Sequence, residues 1–177
     1  MITIIFNQPV TTQSMRDLQV GINSAVRQES DLQLIINTTG GSLEDAVATV
    51  KYVESLPSHV NVTTVNPATC QSGGLLLFGC GQKRIALSKS TFMGHGPSMQ
   101  TAINPSNRQG LYDFNKDSVA LLKECYEGLF PDSDNTFLSS ICIGNPVYFD
   151  AAGALENGTA THIENSYSSE PDKTLFV

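Results

Sequence analysis

Short apolar stretches alternate with stretches in which apolar residues recur every three or four positions through the first half of the chain. Ile2–Phe6, Leu32–Ile36 and Val60–Val65 are short and rich in β-branched residues, which predicts buried strands. From about Thr12 to Arg27, and again from Ser42 onward, apolar residues fall on one face of a predicted helix. Strands that alternate with helices favour stacked β-α units with parallel strands.

The elements from the second helix onward are predicted from the same kinds of pattern. Asp45, three positions after Ser42, is the expected capping partner at the start of the second helix. After it we predict a loop at Asn66–Gln71, a buried helix at Ser72–Phe78, strands at Arg84–Leu87 and Thr91–Met93, a polar loop at Pro97–Ser106, helices at Leu111–Leu129, Asn135–Cys142 and Asp150–Asn157, a strand at Thr159–Ile163, and a loose tail from Glu164 until Thr174–Val177.

Length and charge restrict the classes of function. A chain of 177 residues suits one domain, 1–177, and a net charge of −7 with scattered Lys and Arg argues against a nucleic-acid partner. Four cysteines without metal-ligand spacing indicate reduced thiols, no metal and no cofactor. The first residues suit a strand rather than a signal peptide, and no run suits a membrane helix, so we expect a cytoplasmic protein without a membrane partner.

Ser72 is a candidate nucleophile. It stands at the start of a predicted buried helix, where the unpaired N–H of Gly73 is available to hold an oxyanion. Read alone, the same pattern is more typical of an ordinary helix N-cap than of a nucleophile.

His95 and the pair Gly40-Gly41 are the other candidates. His95 lies between two glycines at the end of a short strand, and the ordinary pKa of a histidine suits proton transfer near neutrality. Gly40-Gly41 forms a strand-to-helix turn that offers backbone N–H groups, either to an oxyanion or to a phosphate. His59 and His162 have no comparable setting and are predicted to lie at the surface.

Together these segments resemble the proteolytic subunit of Clp protease, within the crotonase-like superfamily. The resemblance covers roughly residues 2–163 and rests on four segments: Ile35–Ser42; Ser72-Gly73-Gly74 with Gly81 and Arg84; Phe92–His95; and Ala154–Gly158. It implies an α/β superhelix of stacked β-α units with a protruding handle helix, for which Leu111–Leu129 is the candidate.

The resemblance also implies a mechanism. Ser72 would attack a peptide carbonyl after His95 takes its proton, and the N–H groups of Gly41 and Gly73 would hold the oxyanion. A polypeptide or short peptide would be the substrate, and a homo-oligomeric ring, heptamer or double heptamer, would be the assembly. We expect the family segment that lines the axial pore and meets an AAA+ unfoldase to be missing ahead of the first strand, which argues against such an unfoldase as a partner.

Two positions depart from the family pattern. Ungapped spacing from Gly40-Gly41 puts Cys70, rather than Ser72, at the nucleophile position, so Cys70 is an alternative nucleophile. Ser72 is preferred because Gly74, Gly81 and Arg84 then align. The acid that orients the histidine is not identified, since ungapped spacing from Ala154 gives Pro146.

Asn145, the neighbour of Pro146, is the remaining candidate to orient His95 through its side-chain oxygen. Three hypotheses follow: a serine endopeptidase, a catalytically weak or inactive scaffold subunit, and an acyl-CoA enzyme that uses the same oxyanion N–H groups. The first is preferred.

Overall fold

The computed structural model describes residues 1–98, 108–143, 145–169 and 173–177. Strands and helices are numbered here in chain order. In this part of the chain the larger sheet has six parallel strands: β1 Ile2–Phe6, β2 Leu32–Ile36, β3 Val62–Asn66, β5 Lys83–Leu87, β8 His162–Glu164 and β9 Thr174–Phe176. Across the sheet they lie in the order β8-β5-β3-β2-β1-β9. This architecture is the predicted α/β class of the Clp protease and crotonase-like folds.

Two helices connect the first strands, as the apolar pattern predicts. α1 spans Thr12–Arg27, and Thr11 and Ser14 cap its start reciprocally. α2 spans Leu43–Glu54, and the Ser42 hydroxyl accepts a hydrogen bond from the Asp45 amide at 3.2 Å, which confirms the predicted cap. The apolar faces of both helices are buried in the core that also contains side chains of β1 and β2.

A second, smaller sheet carries the strand that precedes Ser72. In the described residues it consists of β4 (Thr69–Gln71), β6 (Thr91–Gly94) and β7 (Val147–Asp150), with β4 parallel and β7 antiparallel to β6. The predicted loop at Asn66–Gln71 is therefore wrong over residues 69–71. Three residues with one buried side chain carry too little pattern to predict a strand, and β4 forms because β6 pairs with it.

The remaining helices are α3 (Gly73–Gly79), α4 (Arg108–Leu129), α5 (Asn135–Cys142) and α6 (Ala151–Glu156). All seven residues of α3 are buried, as expected from its apolar sequence. The start of α4 protrudes, because the described side chains of 108–117 are exposed, whereas Leu122, Tyr126 and Leu129 pack into the core.

Two predictions lie partly outside the described residues: the polar loop at Pro97–Ser106 over residues 99–106, and the tail from Glu164 over residues 170–172. The last strands differ from the sequence-based bounds. The strand predicted at Thr159–Ile163 begins only at His162 and ends at Glu164, and the Thr159 carbonyl accepts a hydrogen bond from the Arg84 guanidinium at 2.7 Å. Residues 174–176 form β9, which pairs with β1.

Candidate active site

Ser72 stands between β4 and α3 in a backbone conformation that side chains rarely adopt. Its φ of 51° and ψ of −123° match the first central position of a type II′ turn, where glycine is favoured. Its amide donates to the Met93 carbonyl at 2.8 Å, which fastens the turn to β6. Its side chain makes no capping hydrogen bond to α3, so the hydroxyl is not occupied in ending the helix.

His95 follows β6 directly, and its Nε2 lies 2.9 Å from the Ser72 Oγ. The pairing of β4 with β6 explains the contact, because Gln71 lies opposite Met93 and the two parallel strands end at the same edge. When Nε2 is unprotonated, the Ser72 hydroxyl donates to it, which is the arrangement that proton transfer from serine to histidine requires. Both side chains are half-buried and reach the same cleft.

The Gly40-Gly41 turn packs against the backbone around Ser72. Gly40 has a φ of 91°, and a Cβ there would lie 2.5 Å from the Gln71 carbonyl oxygen. Gly41 has a φ of 153°, and a Cβ there would lie 2.1 Å from the Val10 carbonyl oxygen. Only glycine permits this approach, because a Cβ at either position would overlap backbone atoms.

The N–H groups of Gly41 and Gly73 come close together as a result. The Gly41 nitrogen lies 3.6 Å from the point that a Cβ on Gly73 would occupy. Among the described residues, neither N–H donates a backbone hydrogen bond. Two unused N–H donors beside the serine hydroxyl are the groups that an oxyanion needs.

A cleft of about 220 Å³ opens at this pair. One helix supplies an entire wall, because α4 side chains at intervals of four residues face the cleft; these are Phe114, Ser118, Leu122 and Tyr126. The start of α2 also lines the cleft, with Ser42, Leu43 and Glu44. The sequence indicated Phe114 and Leu122 as apolar helix positions but gave no signal that they reach Ser72, and Glu44 and Tyr126 were missed.

Cys70 lies away from His95. Its side chain is fully buried, and its Sγ donates to the Ile36 carbonyl at 3.1 Å, on the side of the larger sheet. Burial raises the pKa of the Cys70 thiol well above its ordinary value, so the reactive thiolate is disfavoured. The structure thus brings Ser72, and not Cys70, to the imidazole.

No described residue takes the place of a third catalytic group. Asn145 is exposed, and within residues 1–98, 108–143, 145–169 and 173–177 no hydrogen bond reaches the Nδ1 of His95. Asn145 and Pro146 directly precede β7, whose first residue, Val147, lies opposite Gly94 in β6. The segment is therefore close to the histidine in the fold, without a described contact to the ring.

The family model for Clp protease matches residues 2–109. The chain belongs to the Clp protease family. The matched part contains the Gly40-Gly41 turn, Ser72, Gly73 and His95, so the whole candidate site, apart from the α4 wall, lies in the family-matched part. The resemblance noted for the later segment Ala154–Gly158 lies beyond the match.

Two further findings concern other classes of site. In the part of the chain that the structure describes, no three His, Cys, Asp or Glu side chains gather in a way that could hold a metal ion. Over the same residues, no helix is both long and apolar enough to cross a membrane.

Proposed function

We propose that the protein is a serine-type endopeptidase that cleaves unfolded polypeptide or short peptides through an acyl-enzyme. Membership of the Clp protease family supports a serine peptidase at the level of the family. The observation that carries the proposal is the 2.9 Å contact between Ser72 Oγ and His95 Nε2 in an open cleft.

The proposed reaction has two halves. Ser72 Oγ bonds to the carbonyl carbon of the substrate as its proton passes to His95 Nε2, and the oxyanion accepts hydrogen bonds from the Gly41 and Gly73 N–H groups. His95 then gives that proton to the leaving amine, and the C–N bond breaks to leave an ester on Ser72. Water then attacks the ester carbonyl as its proton passes to His95. The bond between the acyl carbon and Ser72 Oγ breaks, Ser72 Oγ takes the proton back from His95, and the acid product leaves.

The α4 wall supports a preference within this class. Phe114, Leu122 and Tyr126 give the cleft apolar and aromatic surface close to Ser72. An apolar or aromatic substrate side chain would bury its surface there at roughly 25 cal/mol per Å². We therefore expect faster cleavage beside such residues than beside small polar ones.

Ring assembly is proposed on the strength of the family and of α4. The start of α4 extends beyond the core, and Tyr112 is 65% exposed there although it is aromatic. Large apolar side chains on a protruding helix favour contact with another copy of the chain. The proposed assembly is a heptameric or double heptameric ring, and an AAA+ unfoldase remains an untested partner.

The test is covalent labelling by a fluorophosphonate, followed by intact mass. Wild type should gain one adduct, whereas Ser72→Ala should gain none and His95→Ala should react at least about a hundredfold more slowly, because the base is lost. Ser118→Ala, which removes a hydroxyl from another wall of the same cleft, is the matched control and should label like wild type. Labelling that survives Ser72→Ala but disappears in Cys70→Ala would assign the nucleophile to Cys70.

A scaffold subunit is the second candidate, because no described group orients the Nδ1 of His95. Absence of any adduct, together with a stable ring in light scattering, would favour that function. An acyl-CoA enzyme would use the same two N–H donors, but the match to a peptidase family does not support that function. An increase in the melting temperature of the protein on addition of an acyl-CoA would be evidence for the acyl-CoA hypothesis.

A further inference from the structure

Glu44 places a carboxylate in the same cleft as Ser72 and His95. It lies in the first turn of α2, three residues after Gly41, and its side chain is exposed. An acidic residue is common at this position, because the start of a helix attracts negative charge. Of the residues that line the cleft, none is Lys or Arg.

The neighbouring acid, Asp45, serves a different purpose. Its carboxylate accepts a hydrogen bond from the Thr12 hydroxyl at 3.0 Å, which joins α2 to α1. Glu44 has no such structural contact, since the described partner of its carboxylate is the Ser42 hydroxyl at a long 3.4 Å. The Glu44 carboxylate is therefore available to a ligand in the cleft.

Among the described residues, no Lys or Arg side chain forms an ion pair with Glu44. The ion pairs among the described residues are Lys83 with Glu164 and Lys123 with Glu127. The segments outside the described residues, 99–107, 144 and 170–172, contain no Lys, Arg or His in their sequence. A net charge of −7 adds a general attraction for cations to this local one.

We propose that Glu44 makes the cleft select peptides that carry a Lys or Arg side chain close to the scissile bond and disfavour peptides with Asp or Glu there. This inference rests on the proposed function, because it assumes that the peptide lies in the cleft beside Ser72. Two opposite charges about 4 Å apart at an exposed site, where the dielectric constant is close to that of water, change an equilibrium by roughly five- to tenfold, and like charges act in the opposite direction. The selectivity should weaken as salt is added.

The experiment uses quenched fluorescent peptides that differ only in Lys, Gln or Glu at successive positions on either side of the scissile bond. For wild type at low salt, kcat/KM at one position should fall in the order Lys, Gln, Glu, by about five- to tenfold per step. Glu44→Gln should remove this order, so that the Lys, Gln and Glu peptides are cleaved with similar kcat/KM. Glu54→Gln, an exposed acid at the far end of α2 that does not line the cleft, is the matched control and should keep the order.

A binding measurement separates this inference from the proposed function. Fluorescence anisotropy with the same peptides on Ser72→Ala, and on Ser72→Ala combined with Glu44→Gln, reports selectivity without hydrolysis. A Lys preference that is lost with Glu44 supports the inference even if wild type cleaves nothing and the peptidase proposal fails. Cleavage or binding that is indifferent to charge, a preference that survives Glu44→Gln, or the absence of peptide binding altogether overturns it.

Discussion

At the scale of single residues, burial distinguishes the hydroxyl of the candidate nucleophile Ser72 from the thiol of Cys70. Ser72 lies half-buried at a cleft, whereas Cys70, two residues earlier, is sealed in the core. Burial raises the pKa of all four cysteine thiols, in Cys142 to about 11. A raised pKa means that less thiolate is present at any pH below it, so these thiols are poor nucleophiles in the folded protein.

Alkylation kinetics test this reasoning. At pH 8, iodoacetamide should modify Cys70 in the native protein at least about tenfold more slowly than in guanidinium chloride, because each unit of raised pKa lowers the thiolate fraction tenfold. Peptide mapping by mass spectrometry measures the rate at each cysteine. Equal rates at Cys70 in the native and unfolded protein would contradict the buried position.

The candidate residues themselves were largely predictable, but their roles were not. Ser72, His95 and the glycine pair are visible in the sequence, yet each is also typical of a cap, a loop or a turn. Only the hydrogen-bond partner distinguishes a helix cap from a candidate nucleophile: the Ser72 hydroxyl contacts His95 and does not cap α3. Glu44 gave no signal at all, because only the path of α2 past the cleft makes its carboxylate relevant.

At the scale of the elements, two helical glycines have opposite surroundings. A Cβ on Gly79 in α3 would lie 2.9 Å from Leu129 Cβ and 3.0 Å from Phe130 Cζ, where α3 packs on the end of α4. A Cβ on Gly128 in α4 would meet nothing within 4 Å. The glycine in α3 is thus needed for close helix packing, and the one in α4 is not.

Alanine at each position tests the packing of α3 on α4. Gly79→Ala should lower the free energy of unfolding by about 1–3 kcal/mol, because the added methyl overpacks the contact. Gly128→Ala should raise it by about 0.5 kcal/mol, because alanine favours helix and loses less backbone entropy. Urea unfolding followed by circular dichroism measures both, and a stabilised Gly79→Ala would show that α3 and α4 do not pack as described.

Elements differ in how far the sequence could predict them. α1 and α2 have caps and apolar faces of their own, so local pattern suffices. β4 and β7 are held by pairing with β6, and Val147–Asp150 alternates only between half-buried and exposed positions. Strands defined by a partner rather than by a hydrophobic face are the ones that sequence reasoning missed.

At the scale of the whole molecule, Arg84 joins the family-matched part of the chain to the segment that follows it. Its guanidinium donates to the carbonyls of Thr159 at 2.7 Å, Gly158 at 3.1 Å and Gly81 at 3.3 Å, and it lies 5.5 Å above the Phe130 ring. Together with the pairing of β9 and β1, these contacts support the proposal that residues 1–177 form one domain.

Replacement of Arg84 tests that link. Arg84→Met should lower the free energy of unfolding by roughly 2–4 kcal/mol, because buried carbonyls lose charged hydrogen-bond donors. Lys83→Met is the control: it removes a half-exposed ion pair with Glu164 and should cost less than about 1 kcal/mol. Guanidinium unfolding curves compare the two, and equal losses would mean that the Arg84 contacts contribute nothing beyond surface charge.

The backbone at Ser72 makes a side chain there a thermodynamic burden. A residue other than glycine in such a conformation costs on the order of 1–3 kcal/mol, whereas glycine adopts it freely. Replacement of Ser72 by glycine would therefore remove the hydroxyl and raise the free energy of unfolding. Serine at position 72 therefore keeps its hydroxyl at the cleft at a cost to folding stability that glycine would not incur.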